Sequence, residues 1–119
     1  MALEFIDYEI RGISVLRPIG RLTLGEPTAT FRSTIREWLE SGKKKLILDM
    51  SEVYFIDSSG LGELVTAHTT AVKHGGALKL LKLTQRVQDL VQLTKVYRVL
   101  EVFSDEETAV DSFSAAPEA

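Results

Sequence analysis

Apolar positions along the chain fall first into short extended runs and then into longer helical stripes. Phe5 to Ile10 and Ile13 to Ile19 read as two strands, with Arg11-Gly12 between them as a hairpin turn. Pro18 has no N–H and is expected at a strand end or on an edge. Gly20-Arg21-Leu22-Thr23-Leu24-Gly25 reads as a loop or a further short extended piece. From Pro27, which fits a first helical position, the period lengthens. Phe31, Ile35, Trp38 and Leu39 make one stripe at i, i+4, i+7 and i+8, and Gly42 is a natural C′ residue. Trp38 is read as core or rim packing. Lys45 to Met50 is continuously apolar in its middle, as a central buried strand is. Ser51-Glu52-Val53 connects it to Tyr54-Phe55-Ile56.

A second helix is expected to run to about His74, with Leu61, Leu64, Val65, His68, Ala71 and Val72 near one face. Gly75-Gly76 breaks it. Ala77 to Leu81 reads as a strand. Thr84 is placed to cap a helix inward-facing at Val87, Leu90 and Val91. Val99 to Phe103 reads as a last short strand. Ser104 with Glu107 is a capping-box signature before a helix whose Ala109, Val110 and Phe113 point inward. Strands alternating with helices from residue 27 predict an α/β fold: a mixed β-sheet of about five strands, opened by a hairpin, with crossover helices packed on it.

At 119 residues the chain has room for one domain, expected over residues 1–113, with 114–119 as a flexible C-terminal tail. The net charge of −3 argues against direct nucleic-acid binding, which wants a basic surplus. Lys43 to Lys45 read as a solvated helix C-terminus. With no cysteine there is no disulfide, thiol nucleophile or thiolate metal site. No apolar stretch of about 18 residues is present to span a membrane, and Met1-Ala2-Leu3-Glu4 does not open a secretory signal; a cytoplasmic location is expected.

The segment that organises the rest is Val53-Tyr54-Phe55-Ile56-Asp57-Ser58-Ser59-Gly60-Leu61-Gly62. An apolar run ends in an acid, two hydroxyls and two glycines, and the second helix begins there. Asp57, Ser58 and Ser59 are all N-cap types. The glycines keep the turn bare, and hydroxyls stand at the positive end of a helix dipole, which tolerates an anion.

Enzymatic readings lack parts. The nucleophile elbow G-x-S-x-G is not matched, because Ile56 and Asp57 stand in place of its first glycine and variable residue. His68 lies ten residues beyond Ser58, about 15 Å up the helix, and His74 lies further, so neither can activate the serine. The two histidines point to different faces and make a poor metal pair. Gly60-Leu61-Gly62 lacks both the third glycine of a dinucleotide loop and the lysine of a P-loop. Asp49 and Asp57 near strand ends suggest a phospho-aspartate receiver, but the acidic cluster after its first strand is missing. No catalytic residue, cofactor or metal is therefore expected. Ser58 remains as a hydroxyl for a kinase to modify, since a kinase brings its own nucleotide, magnesium and base.

The string Ile56-Asp57-Ser58-Ser59-Gly60-Leu61-Gly62 resembles the phosphorylation signature of the anti-sigma factor antagonists, the single-domain bacterial members of the STAS family. The resemblance spans roughly residues 5 to 113. It takes in the strand pair ending at Gly20, the Leu46-Ile47-Leu48-Asp49 strand, the Gly75-Gly76 break and a helix end at Leu90 to Thr94. It implies a STAS-like sheet and a partner-switching role. The unmodified protein would bind an anti-sigma factor serine kinase and free a sigma factor, phosphorylation at Ser58 would end this, and a PP2C-type phosphatase would reverse it. Asp57, Ser59, Gly60, Leu61, Gly62 and Thr23 would form or shape the partner-binding face. The departure is Thr23, where members usually carry an aspartate. The alternative is a STAS scaffold or accessory subunit of a stress-sensing or transporter complex without a sigma-factor role.

Overall fold

A computed structural model of the chain describes residues 3–114. The elements in order are β1 (Glu4–Ile10), β2 (Ile13–Leu22), α1 (Glu26–Glu40), β3 (Lys45–Asp49), β4 (Val53–Ile56), α2 (Ser58–Lys73), β5 (Ala77–Leu81), α3 (Gln85–Thr94), β6 (Val102–Phe103) and α4 (Glu106–Ser114). A 3-10 turn occupies Val96–Arg98. The sheet runs β1-β2-β3-β5-β6, and β4 pairs with β2 off that path. Only β1 and β2 are antiparallel; β2–β3, β2–β4, β3–β5 and β5–β6 are parallel. The architecture is the expected mixed α/β sheet, with six strands rather than about five. Of the expected tail, Ser114 is the last residue of α4, and 115–119 lie outside the described residues.

Strand β2 is longer than its sequence suggests. Gly20–Leu22, read as a loop or short extended piece, continues it and pairs with β4. Pairing with β3 ends at Leu16 and pairing with β4 starts at Gly20. Pro18 therefore sits inside the strand, not at its end. It stands where β2 passes from one parallel neighbour to the other, so its missing donor interrupts neither ladder.

Alternation along the strands divides the core in two. Leu46, Leu48, Leu78 and Leu80 face one layer, built with Phe31, Ile35 and Leu39 of α1, Leu64 and Ala71 of α2, and Val87 and Val91 of α3. Ile47, Val15, Ile13 and Leu81 face the other, covered by Ala109 and Val110 of α4. Each fully buried leucine contributes about 1.5–3 kcal/mol relative to exposure. Lys79 shares the reverse face: its ammonium donates to Ser112 Oγ at 2.8 Å, pairs with Glu101 at 3.4 Å and lies 4.5 Å from the Phe113 ring centroid. Beside it, buried Asp49 accepts from Arg17 Nε at 3.0 Å, and the Tyr8 hydroxyl donates to Glu106.

Helix ends follow local chemistry, with some exchanges of partner. Glu26 opens α1 and Pro27 is its second residue. Gly42, at φ +97°, closes it: Lys43 N–H donates to Trp38 O and Gly42 N–H to Leu39 O, the bonds a glycine-terminated helix needs. Trp38 is partly buried, with the Lys43 ammonium 4.6 Å from its ring. On α2 the buried residues include Ala67, whereas Val72, expected inward, is 54% exposed. The helix packs on both β5 and α1, and its buried band rotates toward α1. Thr84 stands at the N-cap of α3, but its hydroxyl donates to Val53 O instead. The cap of α4 is Asp105, whose carboxylate accepts the Thr108 N–H at 2.9 Å; the expected Ser104 box is displaced by one residue. The last strand is only Val102–Phe103, because Val99 and Leu100 still close the 3-10 turn, both N–H groups donating to Val96 O at 2.9 Å.

Candidate functional site

Strand β4 ends at buried Ile56, and α2 begins two residues later, leaving Asp57 extended between them. Asp57 caps the helix: Oδ1 accepts the Gly60 N–H at 2.8 Å. Oδ2 accepts the Leu24 N–H at 3.0 Å, from the turn that follows β2. One carboxylate thus fastens the helix start to a turn 33 residues earlier in the chain. Partial burial disfavours the ionised carboxyl. The N–H groups of Leu24, Gly60, Asp57 itself and Ser59 outweigh that and hold its pKa below the ordinary aspartate value.

Ser58, the first residue of α2, is exposed. Its hydroxyl makes no hydrogen bond among the described residues, and neither does that of half-buried Ser59. The exposed hydroxyl stands at the positive end of the helix dipole, which favours negative charge. The turn under it is rigid, since both Asp57 oxygens are engaged.

The two glycines of the turn differ. A Cβ on Gly60 would lie 2.1 Å from the Leu22 carbonyl oxygen and 2.8 Å from Ile56 Cγ1. Gly60 thus lets α2 sit directly on the end of β2. A Cβ on Gly62 would meet nothing within 4 Å, and the residue is exposed. No contact within the fold requires that glycine, although it costs helix stability relative to alanine by about 1 kcal/mol.

Of the residues expected at a partner-binding face, Asp57, Ser59 and Gly62 share the start of α2 with Ser58, and Thr23 is tied to it through its neighbour Leu24. Thr23 is half-buried, next to the Leu24 that bonds Asp57, and its carbonyl accepts the Thr28 N–H at 3.3 Å. Leu61 and Gly60 are buried. Leu61 belongs to the core, because the fourth residue of α2 points at the sheet, so its side chain lies beneath the face.

Several residues of this rim escape sequence reasoning. Leu24 is 75% exposed beside Asp57, and Leu93 of α3 is 80% exposed at the edge of a shallow recess of about 370 Å³ lined by Ile56, Arg86, Asp89 and Leu90. The Phe55 ring has the Arg21 guanidinium 4.7 Å and the Arg86 guanidinium 4.4 Å from its centroid. The apolar/polar pattern gave no signal for these, since each depends on how three elements meet.

Neither histidine approaches Ser58. His74 caps the far end of α2, its Nδ1 3.0 Å from Thr70 O. His68 is half-buried, with Nδ1 enclosed and unbonded. Among the described residues no three His, Cys, Asp or Glu side chains converge to hold a metal. No helix among them is long and apolar enough to cross a membrane.

Residues 5–109 match the family model of the STAS domain. A Thermotoga neapolitana protein, named as a candidate anti-sigma factor antagonist, is 24% identical over 79% of this chain and 83% of its own. The crystal structure of a candidate anti-sigma factor antagonist from Thermotoga maritima superposes with a TM-score of 0.83 at 25% identity, covering 91% of this chain and 92% of that one. The anti-sigma factor antagonist SpoIIAA in its unphosphorylated form superposes at 0.69 and 22% identity, over 94% and 99% of the two chains. That last likeness concerns the fold.

Proposed function

On the premise that this chain belongs to the STAS domain family, we propose that it is an anti-sigma factor antagonist switched by phosphorylation of Ser58. The unphosphorylated form binds an anti-sigma factor serine kinase in the cytoplasm and releases a sigma factor. A PP2C-type phosphatase restores it. The observation that carries this reading is the Ser58 hydroxyl: exposed, unbonded, and mounted on a turn clamped by Asp57.

The chemistry asks little of this chain. Ser58 Oγ attacks the γ-phosphorus of ATP, ADP leaves, and the hydroxyl proton passes to the kinase's base. The substrate has only to present its nucleophile without reorganising. Asp57 does that by holding the first turn, and Gly62 leaves the adjacent surface low enough for a kinase backbone to approach.

Phosphorylation adds about 1.5–2 negative charges at Ser58. On the free protein the helix N-terminus offsets part of this, by about 1 kcal/mol, so the fold persists. In the complex the dianion would be desolvated beside Asp57, at a cost of several kcal/mol. With about 1.4 kcal/mol per tenfold in affinity, that releases the kinase without a change of shape. Thr23, in place of the family's usual aspartate, takes one negative charge off this face and points to a kinase surface matched to it.

The test is incubation with the kinase and ATP followed by mass spectrometry. Phosphate on Ser58, and its loss with Ser58→Ala, is the expected outcome. Modification confined to Ser59 or Thr23 would overturn the assignment, and failure of the kinase to bind would overturn the function.

A further inference from the structure

Beside the Ser58 turn lies a feature that phosphorylation does not use. Phe55, three residues before Ser58, carries two arginines against its ring. Arg21 reaches it from β2, where it is the register partner of Phe55, and Arg86 reaches it from the first turn of α3. A guanidinium stacked on a ring keeps its N–H fork free at the edge, the geometry that takes a carboxylate bidentately.

Nothing among the described residues uses those forks. Ion pairs among the described residues join Arg11 to Asp111, Arg17 to Asp49, Arg32 to Glu63 and Lys79 to Glu101. Arg21 and Arg86 are exposed and take part in none. Two carboxylates of the neighbouring segments are engaged elsewhere: Asp57 with two backbone N–H groups, and Asp89 with Gln85 Nε2 at 2.7 Å. In a chain of net charge −3, two like charges are thus held against one ring and left unneutralised. Holding them together works against their mutual repulsion, and a counter-charge from outside the chain would relieve it.

We propose that Arg21, Phe55 and Arg86 form an acid-reading clamp that docks a carboxylate-rich segment of the kinase. The recess at Ile56, Leu90 and Leu93 next to it takes an apolar side chain of the same segment. This rests on the Ser58 reading and sharpens it. An acidic segment seated three residues from Ser58 is repelled directly when that serine becomes a dianion, while the two arginines gain a competing anion in cis. The clamp therefore couples phosphorylation to release.

Two measurements test the clamp. In the first, arginine Nε–Hε signals are followed by NMR during titration with a short glutamate-rich peptide, with a lysine-rich peptide and inorganic phosphate as controls. Arg21 and Arg86 should move with the glutamate peptide alone, while Arg36 and Arg98, exposed and without ion pairs, stay in place. Uniform movement of all four, or equal movement with phosphate, would overturn the proposal. In the second, affinity for the Ser58-phosphorylating kinase is measured against salt for wild type, the Arg21→Gln/Arg86→Gln double variant and Phe55→Leu. The double variant should lose roughly tenfold in affinity and show a shallower salt dependence. Phe55→Leu, which keeps both charges, should lose affinity as well. If the double variant binds as tightly as wild type, the clamp falls and the Ser58 switch stands. If no kinase modifies Ser58, the switch falls and the peptide titration alone decides the clamp.

Discussion

The backbone N–H of Leu24 donates to Asp57 Oδ2 at 3.0 Å, while the other oxygen of the same carboxylate caps α2 at Gly60. Two segments far apart in sequence are therefore held in register by one side chain. The turn on one flank and the helix on the other cannot move independently of Ser58.

Removing that carboxylate should loosen both at once. Asp57→Ala is expected to lower stability by about 1–2 kcal/mol, the range for a lost N-cap. Amide hydrogen exchange should accelerate at Leu24 and Gly60 together. Acceleration at Gly60 alone would mean that Asp57 is only a helix cap.

Acid should destabilise the fold through Asp57 and Asp49. At Asp49 burial opposes ionisation, but hydrogen bonds from Ser51 and Arg17, with the Arg17 charge, hold the pKa below its ordinary value. For both groups the folded state binds a proton less readily than the unfolded chain. Their contribution is full above the ordinary aspartate pKa of about 3.9 and is lost as pH falls through the lower folded values. Thermal melts from pH 6 down to 2 should fall below about pH 4, and less steeply in Asp49→Asn, which itself starts about 2–3 kcal/mol less stable because Arg17 loses its charged acceptor.

Alkali should act through Tyr8. Burial, the bond to Glu106 and the nearby carboxylates raise its phenol to about 12. Because the folded state keeps the proton beyond the unfolded value, the stabilisation is present below about pH 10 and disappears as pH rises toward the folded pKa. Tyr8→Phe should flatten stability between pH 10 and 12, as read by urea unfolding.

The two glycines of the turn should respond in opposite directions. Gly60→Ala places a methyl 2.1 Å from the Leu22 carbonyl and should cost several kcal/mol or prevent folding, as overpacking against backbone does. Gly62→Ala meets only open space and should stabilise α2 by about 0.5–1 kcal/mol. If Gly62 serves kinase approach, the more stable variant will also be the poorer binder. Denaturant titration and kinase affinity, measured on the same preparation, decide this.

Much of the scaffold is legible in the sequence because its signals are local. The apolar run at Leu46–Leu48, the break at Gly75-Gly76 and the acid-hydroxyl-glycine turn each sit between clear boundaries, and β3, α2 and β5 fall where they imply. Pro18 misleads because its setting depends on β2 changing neighbours, which no window of β2 reveals. Ser104 misleads because Asp105 beside it is an equally good cap. Ala67 replaces Val72 in the buried band because α1 lies along that flank of α2, a tertiary fact. The site divides the same way. Asp57 and Ser58 announce themselves, whereas Leu24 and the Arg21–Phe55–Arg86 stack exist only once β2, β4 and α3 have met.

The sheet is dressed unevenly, with three helices over one face and α4 alone over the reverse. Ser58 opens a helix of the crowded side. A fluorophore or affinity handle fixed to the outer face of α4 would stand on the sparse side, across the sheet from the layer that α2 builds. The molecule can thus be tethered by its back while its front remains open to visitors.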